Sequence, residues 1–252
     1  MKKAYFLSDA HLGAHYIVNA REHEKRIVDF FDSIKNDAAE LFLMGDILDY
    51  WYEYKNVVPR GHVRFLGKLA ELADAGVKIY WFTGNHDVWL FDYLSQEIGL
   101  KVLSGNTVME VMGTKFLLSH GDDVGYQKPL YRLTRWCFYN PVCQWLYASV
   151  HPRWTFPIAT SWSQHNRLTR SKEEVDRMKE VCCGRLEKFC REHSSKHPEV
   201  KHYVFGHVHL ARQVMLDGDR TMTVLGDWID QFTYAVFNGE QVQLLSQGKK
   251  NT

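Results

Sequence analysis

Five runs of strand-forming apolar side chains each stop on a small, acidic or histidine residue: Ala4–Asp9, Leu41–Asp46, Lys78–Asp87, Lys115–Asp122 and His202–His209. Runs so short and so apolar, without polar alternation, suit strands buried on both faces. Helix-period segments separate the first three. Ile27, Phe30, Phe31 and Ile34 fall on one helical face, and Val63, Leu66, Leu69, Leu72 and Ala73 repeat that spacing. Strand, helix, strand, helix, strand implies a partly parallel sheet and an α/β fold.

Hairpin signals take over after Thr107: Met112-Gly113, Asp217-Gly218 and Asn238-Gly239 each separate two strand-like runs. The expected fold is therefore parallel at the front and more antiparallel behind. Residues 125–200 supply no alternating strand, and Ser171-Lys172-Glu173-Glu174 has the form of a capping box opening a helix through about His193. That stretch is expected to be a mainly helical insertion within one domain spanning residues 1–252.

Several classes are excluded at once. A content of 45% hydrophobic and 24% charged residues is that of a globular chain, not a disordered one. The formal net charge of +1 gives no sign of a basic nucleic-acid binder, and no nucleic acid is expected as a partner. Five cysteines, odd in number and without a Cys-x-x-Cys pair, indicate neither a disulfide framework nor a thiolate zinc site. Free thiols in a reducing cytoplasm are the expectation. The apolar stretch before Asp9 is too short for a secretory signal, and the uncharged run Trp136–Pro152, broken by Asn140, Pro141 and Gln144, falls short of the roughly 20 apolar residues of a spanning helix.

The strand ends carry the chemistry. Asp9, His11, Asp46, Asn85, His86, His120, His207 and His209 all follow an apolar run, where α/β sheets gather their ligand sites. If the chain stays extended there, residues two apart share a side, so Asp9 with His11 and His207 with His209 aim ligands into one cavity. Carboxylate, imidazole and amide oxygen suit Mn²⁺, Fe or Zn²⁺. Asp9, His11, Asp46, Asn85, His120, His207 and His209 exceed what one ion takes. They hold two if one carboxylate bridges, an arrangement that clamps the attacking and leaving oxygens of a phosphoryl group.

This ordered set, Asp9-Ala10-His11, Gly45-Asp46, Gly84-Asn85-His86-Asp87, His120-Gly121-Asp122 and Gly206-His207-Val208-His209, resembles the calcineurin-like metallophosphoesterases over nearly the whole chain. The resemblance implies a four-layer αββα sandwich with two divalent metal ions, Mn²⁺ foremost, at the sheet edge. It implies Asp46 as the bridge, Asp9, His11 and His209 on one ion, and Asn85, His120 and His207 on the other. The family's catalytic histidine matches His86, held by Asp87 or Asp49, which would protonate the leaving oxygen or stabilise its charge.

The front half and the segment from His120 to Trp162 resemble one branch in particular, the UDP-2,3-diacylglucosamine diphosphatases of lipid A synthesis. The implied substrate is a UDP-linked diacylated glucosamine lipid, cleaved to UMP and 2,3-diacylglucosamine 1-phosphate beneath a helical lid, by an enzyme peripherally bound to the cytoplasmic face of the inner membrane. Ser163, Asn166, Arg167 and Arg170, with Asn85, His86, Asp123 and His207, are the implied substrate contacts. One position departs: the branch's usual Gly-Asn-Arg-Asp has His86 in place of Arg here. A broader phosphodiesterase or phosphatase acting on nucleotides or other small phosphoesters is the alternative.

The insertion supports the lipid reading on its own residues. Val124–Lys172 contains no acid but seven basic side chains, leaving the rest of the chain at −6. It also holds ten aromatics, among them Trp136, Trp145, Trp154 and Trp162. Aromatic and cationic side chains together suit an anionic head group with an apolar tail, or an anionic leaflet.

Overall fold

The computed structural model describes residues 2–125, 129–168 and 171–248, the side chains of residues 160 and 162–168 excepted. Its elements run β1 (Lys3–Leu7), α1 (Ala20–Ile34), β2 (Ala38–Leu43), α2 (Val63–Asp74), β3 (Lys78–Phe82), α3 (Tyr93–Ile98), β4 (Lys101–Leu103), β5 (Thr107–Val111), β6 (Thr114–Ser119), α4 (Pro129–Tyr139), α5 (Pro141–Ala148), α6 (Pro152–Leu168), α7 (Lys172–Lys196), β7 (His202–Phe205), β8 (Ala211–Met215), β9 (Thr221–Leu225), β10 (Thr233–Phe237) and β11 (Val242–Ser246). Two sheets result, ordered β11-β10-β1-β2-β3-β4 and β5-β6-β7-β9-β8. Strands β1 to β4 are parallel, as are β6, β7 and β9, while the three expected hairpins make the antiparallel pairs β5–β6, β8–β9 and β10–β11.

Alternation along these strands divides the core into layers. Phe6, Phe42, Phe82, Phe116, Leu118, Val204 and Phe237 meet between the sheets, with Phe6 stacked on Phe42 at 4.7 Å within its sheet and facing Phe116 of the other sheet at 5.7 Å. Tyr5, Leu7, Leu41, Leu43 and Trp81 point the other way, into α1, α2 and α3. Neighbouring residues are thus both buried, which is why each run reads as continuously apolar. On α2 the buried face is Phe65, Leu69 and Leu72, and Val63, expected to face inward, is 77% exposed because it sits on the first turn, beyond the sheet.

The fourth layer comes from within the helical stretch of residues 125–200. Cys183, Leu186 and Cys190 of α7 pack against Leu117, Tyr203, Phe205 and Val224 of the second sheet. The capping box at Ser171 and Glu174 is present at the start of α7. Helices α4 and α5 bury no residue fully; α4–α6 rest on a separate aromatic cluster of Tyr50, Tyr52, Val88 and Trp89 through Phe138, Tyr139, Tyr147 and Phe156. Burial therefore assigns α7 to the sandwich and leaves α4–α6 as the projecting part.

His202, at the start of β7, faces Phe116 and Phe237 between the sheets and pairs with Thr221 Oγ1 at 2.8 Å. Burial pushes its pKa down to about 4, so the folded state carries the neutral ring where the unfolded chain, at about 6.5, begins to charge. That contribution to stability is complete above pH 6.5 and is lost as pH falls toward 4. Urea denaturation of His202→Gln should show a smaller drop in stability between pH 7 and pH 5 than the parent. An identical drop would mean that His202 does not titrate there.

Candidate metal centre

The parallel strands deliver their loops to one edge, and the backbone there leaves the strand conformation. Asp9, His11, Asp46, His207 and His209 have φ of 54°, 45°, 52°, 66° and 53°, five of the eight non-glycine residues in the left-handed region among the described residues. Such a conformation costs an L-residue about 1–2 kcal/mol. The convergence of Asp9 with His11 and of His207 with His209 thus comes from left-handed turns beyond Leu7 and Phe205, not from the extended alternation expected of them. Two glycines leave room for the turns: a Cβ on Gly84 would strike Asp46 Oδ1, and one on Gly206 would strike Ser8 Oγ.

Asp9, His11 and His209 bring one ligand atom each into a common group, and Asp46, His120 and His207 form a second. Asp46 lies at the junction, its Oδ2 3.3 Å from His120 Nε2 and 3.9 Å from His11 Nε2. Within the first group, His11 Nε2 and His209 Nε2 are 3.3 Å apart, and His209 Nε2 is 3.2 Å from Asp9 Oδ1.

The far side of three rings is already engaged. His11 Nδ1 lies 3.0 Å from Asp49 Oδ1, His120 Nδ1 lies 2.8 Å from the Met44 carbonyl, and His209 Nδ1 lies 3.4 Å from Asp227 Oδ2. Each of those nitrogens carries its proton toward an acceptor, so each Nε2 turns a lone pair toward carboxylate oxygens. Lone pairs facing lone pairs repel unless positive charge lies between them. Asp9 Oδ1, Asn85 Oδ1 and His120 Nε2 are accordingly buried without a hydrogen-bond partner. Buried acceptors left unmatched at this spacing fit divalent cations, and the oxygen and imidazole donors fit Mn²⁺, Fe or Zn²⁺.

Electrostatics agree. Burial pushes His11 down to about 4 and also lowers His207, which keeps both rings neutral. At His120 burial is outweighed by the Asp46 and Asp9 carboxylates, which hold it protonated well above the usual histidine range; a divalent ion supplies that charge without the proton. Asp46, though buried, is held well below the carboxylate range by His120 and His86.

Asp87, expected beside His86 as a catalytic partner, has another task. It is fully buried; its Oδ1 accepts from Gly84 N (2.7 Å) and Asp46 N (3.2 Å), and its Oδ2 from Ile47 N (2.9 Å) and Trp81 Nε1 (3.1 Å). Every one of those donors belongs to the protein, so Asp87 ties the Asp46 and Asn85 loops together instead of facing His86. The residue facing His86 is Asp49, whose carbonyl lies 3.0 Å and whose Oδ1 lies 3.4 Å from His86 Nδ1. His86 itself donates its backbone N–H to Asp46 Oδ1 at 2.9 Å and stays partly exposed.

Asp123 Oδ2 is paired with Arg135 Nη2 at 3.2 Å. Arg170 lies outside the described residues, as do the side chains of Ser163, Asn166 and Arg167 on α6. Two contributors were not anticipated. Asp227, which orients His209, also accepts from the N–H groups of Ile229, Asp230 and Gln231 at 2.8–3.1 Å; despite burial, His209 and those N–H groups hold it far below the carboxylate range. Its signal was present: Thr221–Asp227 is another apolar run ending in Gly-Asp. Arg135, which reaches from α4 to both Asp122 and Asp123, had none beyond its charge.

The comparisons with known proteins agree with this geometry. The family model described as calcineurin-like phosphoesterase matches residues 2–211. The chain is 41% identical to the UDP-2,3-diacylglucosamine hydrolase of Porphyromonas gingivalis, over 97% of each chain. It is 28% identical to the protein of the same name from Nitrosococcus oceani, over 89% of this chain and 86% of that one. A family match over most of the chain, with a relative 41% identical along nearly all of it, makes the chain a member of the calcineurin-like phosphoesterase family.

Proposed function

We propose that this chain hydrolyses the diphosphate of UDP-2,3-diacylglucosamine to UMP and 2,3-diacylglucosamine 1-phosphate, using two divalent metal ions, Mn²⁺ foremost. The observation that carries the substrate is the near-full-length match to a relative named for it. In this reading Asp9, His11 and His209 hold one ion, Asn85, His120 and His207 the other, and Asp46 bridges. The ions would neutralise phosphoryl oxygens and activate water. Asp49, Met44 and Asp227 fix which nitrogen of each ring faces inward. His86, with Nδ1 turned to Asp49, offers Nε2 to the leaving oxygen. Where the branch's usual Arg gives only fixed charge, His86 can also give up a proton.

The acceptor for the acyl part is read from α4–α6. Phe138, Tyr139, Tyr147 and Phe156 are spent on packing, whereas Leu133, Trp136, Val142, Trp145, Trp154 and Ile158 are each more than half exposed. Apolar exposure of this extent beside Arg132 and Arg153 suits acyl chains and an anionic leaflet. Among the described residues no helix is long and apolar enough to cross a membrane, so contact with the leaflet would be peripheral.

With Mn²⁺ supplied, the purified protein should release UMP from UDP-2,3-diacylglucosamine far faster than from UDP-glucose, and faster than it cleaves bis(4-nitrophenyl) phosphate. Equal turnover of the soluble compounds would favour a general phosphodiesterase instead. Asp46→Ala should lose bound metal and activity together, while His86→Ala should retain metal and lose about 10²–10⁴ in rate, the usual share of an acid–base group. Equal loss of metal in the two variants would remove His86 from that role. Replacing Trp145 and Trp154 by Ser should weaken binding to vesicles containing anionic phospholipid; unchanged sedimentation with vesicles would count against leaflet contact.

A further inference from the structure

A cavity of about 440 Å³ lies beside the ligand cluster, and none of the roles above uses it. It opens off the loop that carries His11, since Leu12, Gly13 and Asp49 line it and Asp49 Oδ1 is 3.0 Å from His11 Nδ1. Arg21, at the start of α1, and Arg64, at the start of α2, enter from one side with Arg60 and His62 from the loop before α2. Tyr50 and Phe156 form an aromatic wall, their rings edge to face at 4.7 Å.

The balance of charge in this cavity favours an anion. Arg21, Arg60 and Arg64 are exposed, and none is held in an ion pair among the described residues. The two acids that line it are engaged elsewhere: Glu24 accepts from the Phe65 N–H at 3.1 Å, and Asp49 faces His11 and His86. Three guanidinium groups against two carboxylates leave the lining net positive, in a part of the chain that is acidic overall. The volume falls within the roughly 300–1,000 Å³ of small-molecule sites. The cavity's rim, with Arg21, Arg60 and Arg64, suits an anionic group better than a pair of acyl chains.

We propose that this cavity is the subsite for the nucleoside monophosphate half of the substrate, the half released as UMP; the inference rests on the diphosphate-cleaving function proposed above. A pyrimidine packs on the wall of Tyr50 and Phe156, as bases do on aromatic side chains generally. Arg60 and Arg64 take phosphate or ribose oxygens with their planar donor pairs. Asp49 marks the boundary with the metal cluster, so the base and ribose lie on one side of the reacting phosphorus and the sugar lipid on the other.

Equilibrium dialysis of labelled UMP against the metal-loaded full-length protein tests this. Arg60→Ala/Arg64→Ala should bind UMP at least tenfold more weakly than the parent, and bind 2,3-diacylglucosamine 1-phosphate within twofold of it. Both arginines are exposed, so melting temperature and metal content should match the parent; should the double variant misfold, Arg60→Gln and Arg64→Gln singly provide the same comparison. UMP binding indifferent to the arginines overturns the subsite, as does a loss confined to the lipid product, which would give the cavity to the other half of the substrate. Failure of the parent to release UMP from UDP-2,3-diacylglucosamine overturns the function itself.

Discussion

A set of buried lone pairs aimed at one another is the constraint around which this molecule is arranged. His11, His120 and His209 each spend one ring nitrogen on an acceptor of the protein and turn the other toward Asp9 and Asp46, which are themselves buried and ionised. Ionised carboxylates and inward-turned ring nitrogens crowd one another there, and positive charge within the cluster relieves them. The left-handed backbone at five of the ligand positions adds a cost of about 1–2 kcal/mol apiece, comparable in sum with the net stability of a typical domain. Metal binding offsets costs of that size, because its free energy is available to the folded arrangement alone.

Buried carboxylates away from the cluster stiffen what surrounds it. Asp87 collects five donors, from two loops and from Trp81 of β3, and Glu53 accepts from Trp51 Nε1 and from the N–H groups of Phe91, Asp92 and Tyr93, fixing the start of α3. Trp89 in turn supports the aromatic cluster under α4–α6, donating to the Phe138 carbonyl at 3.0 Å. The loops that carry the candidate ligands and the chain that Trp89 places beneath the projecting helices are thus fastened by the same kind of device. An ionised side chain that accepts several N–H bonds fixes a loop more firmly than apolar packing does, because it dictates direction as well as distance.

Much of this was legible in the sequence. Strands buried on both faces write themselves as unbroken apolar runs, and a Gly-Asp or Gly-His immediately after such a run marks the edge where ligands collect. What escaped was whatever depends on direction at single-residue resolution. Asp87 and Asp49 flank His86 and Asp46 with equal plausibility in sequence, and only the position of Trp81 and of the 46–48 backbone decides that Asp87 points away from the reacting side. Asp227 repeated the strand-end pattern, yet as an orienter of His209 it contributes no ligand atom to recognise. The helical stretch reads as one unit because neither α7 nor the helices before it show strand alternation; burial of Cys183, Leu186 and Cys190 is a tertiary fact.

The helix α7 has a consequence for the architecture of the upper edge. Cys183 is its first buried residue and Glu180 already pairs with Arg212 of β8, so Lys172–Lys179 extends about 12 Å, at 1.5 Å per residue, ahead of those contacts. A Cβ built on Gly125 would lie 3.3 Å from Arg185 Cβ, so the chain leaves the sandwich beside that same helix. Exit and return therefore share one rigid post. The surface of α4–α6 can therefore change in sequence while the clustered side chains at the strand ends stay where the sheets put them.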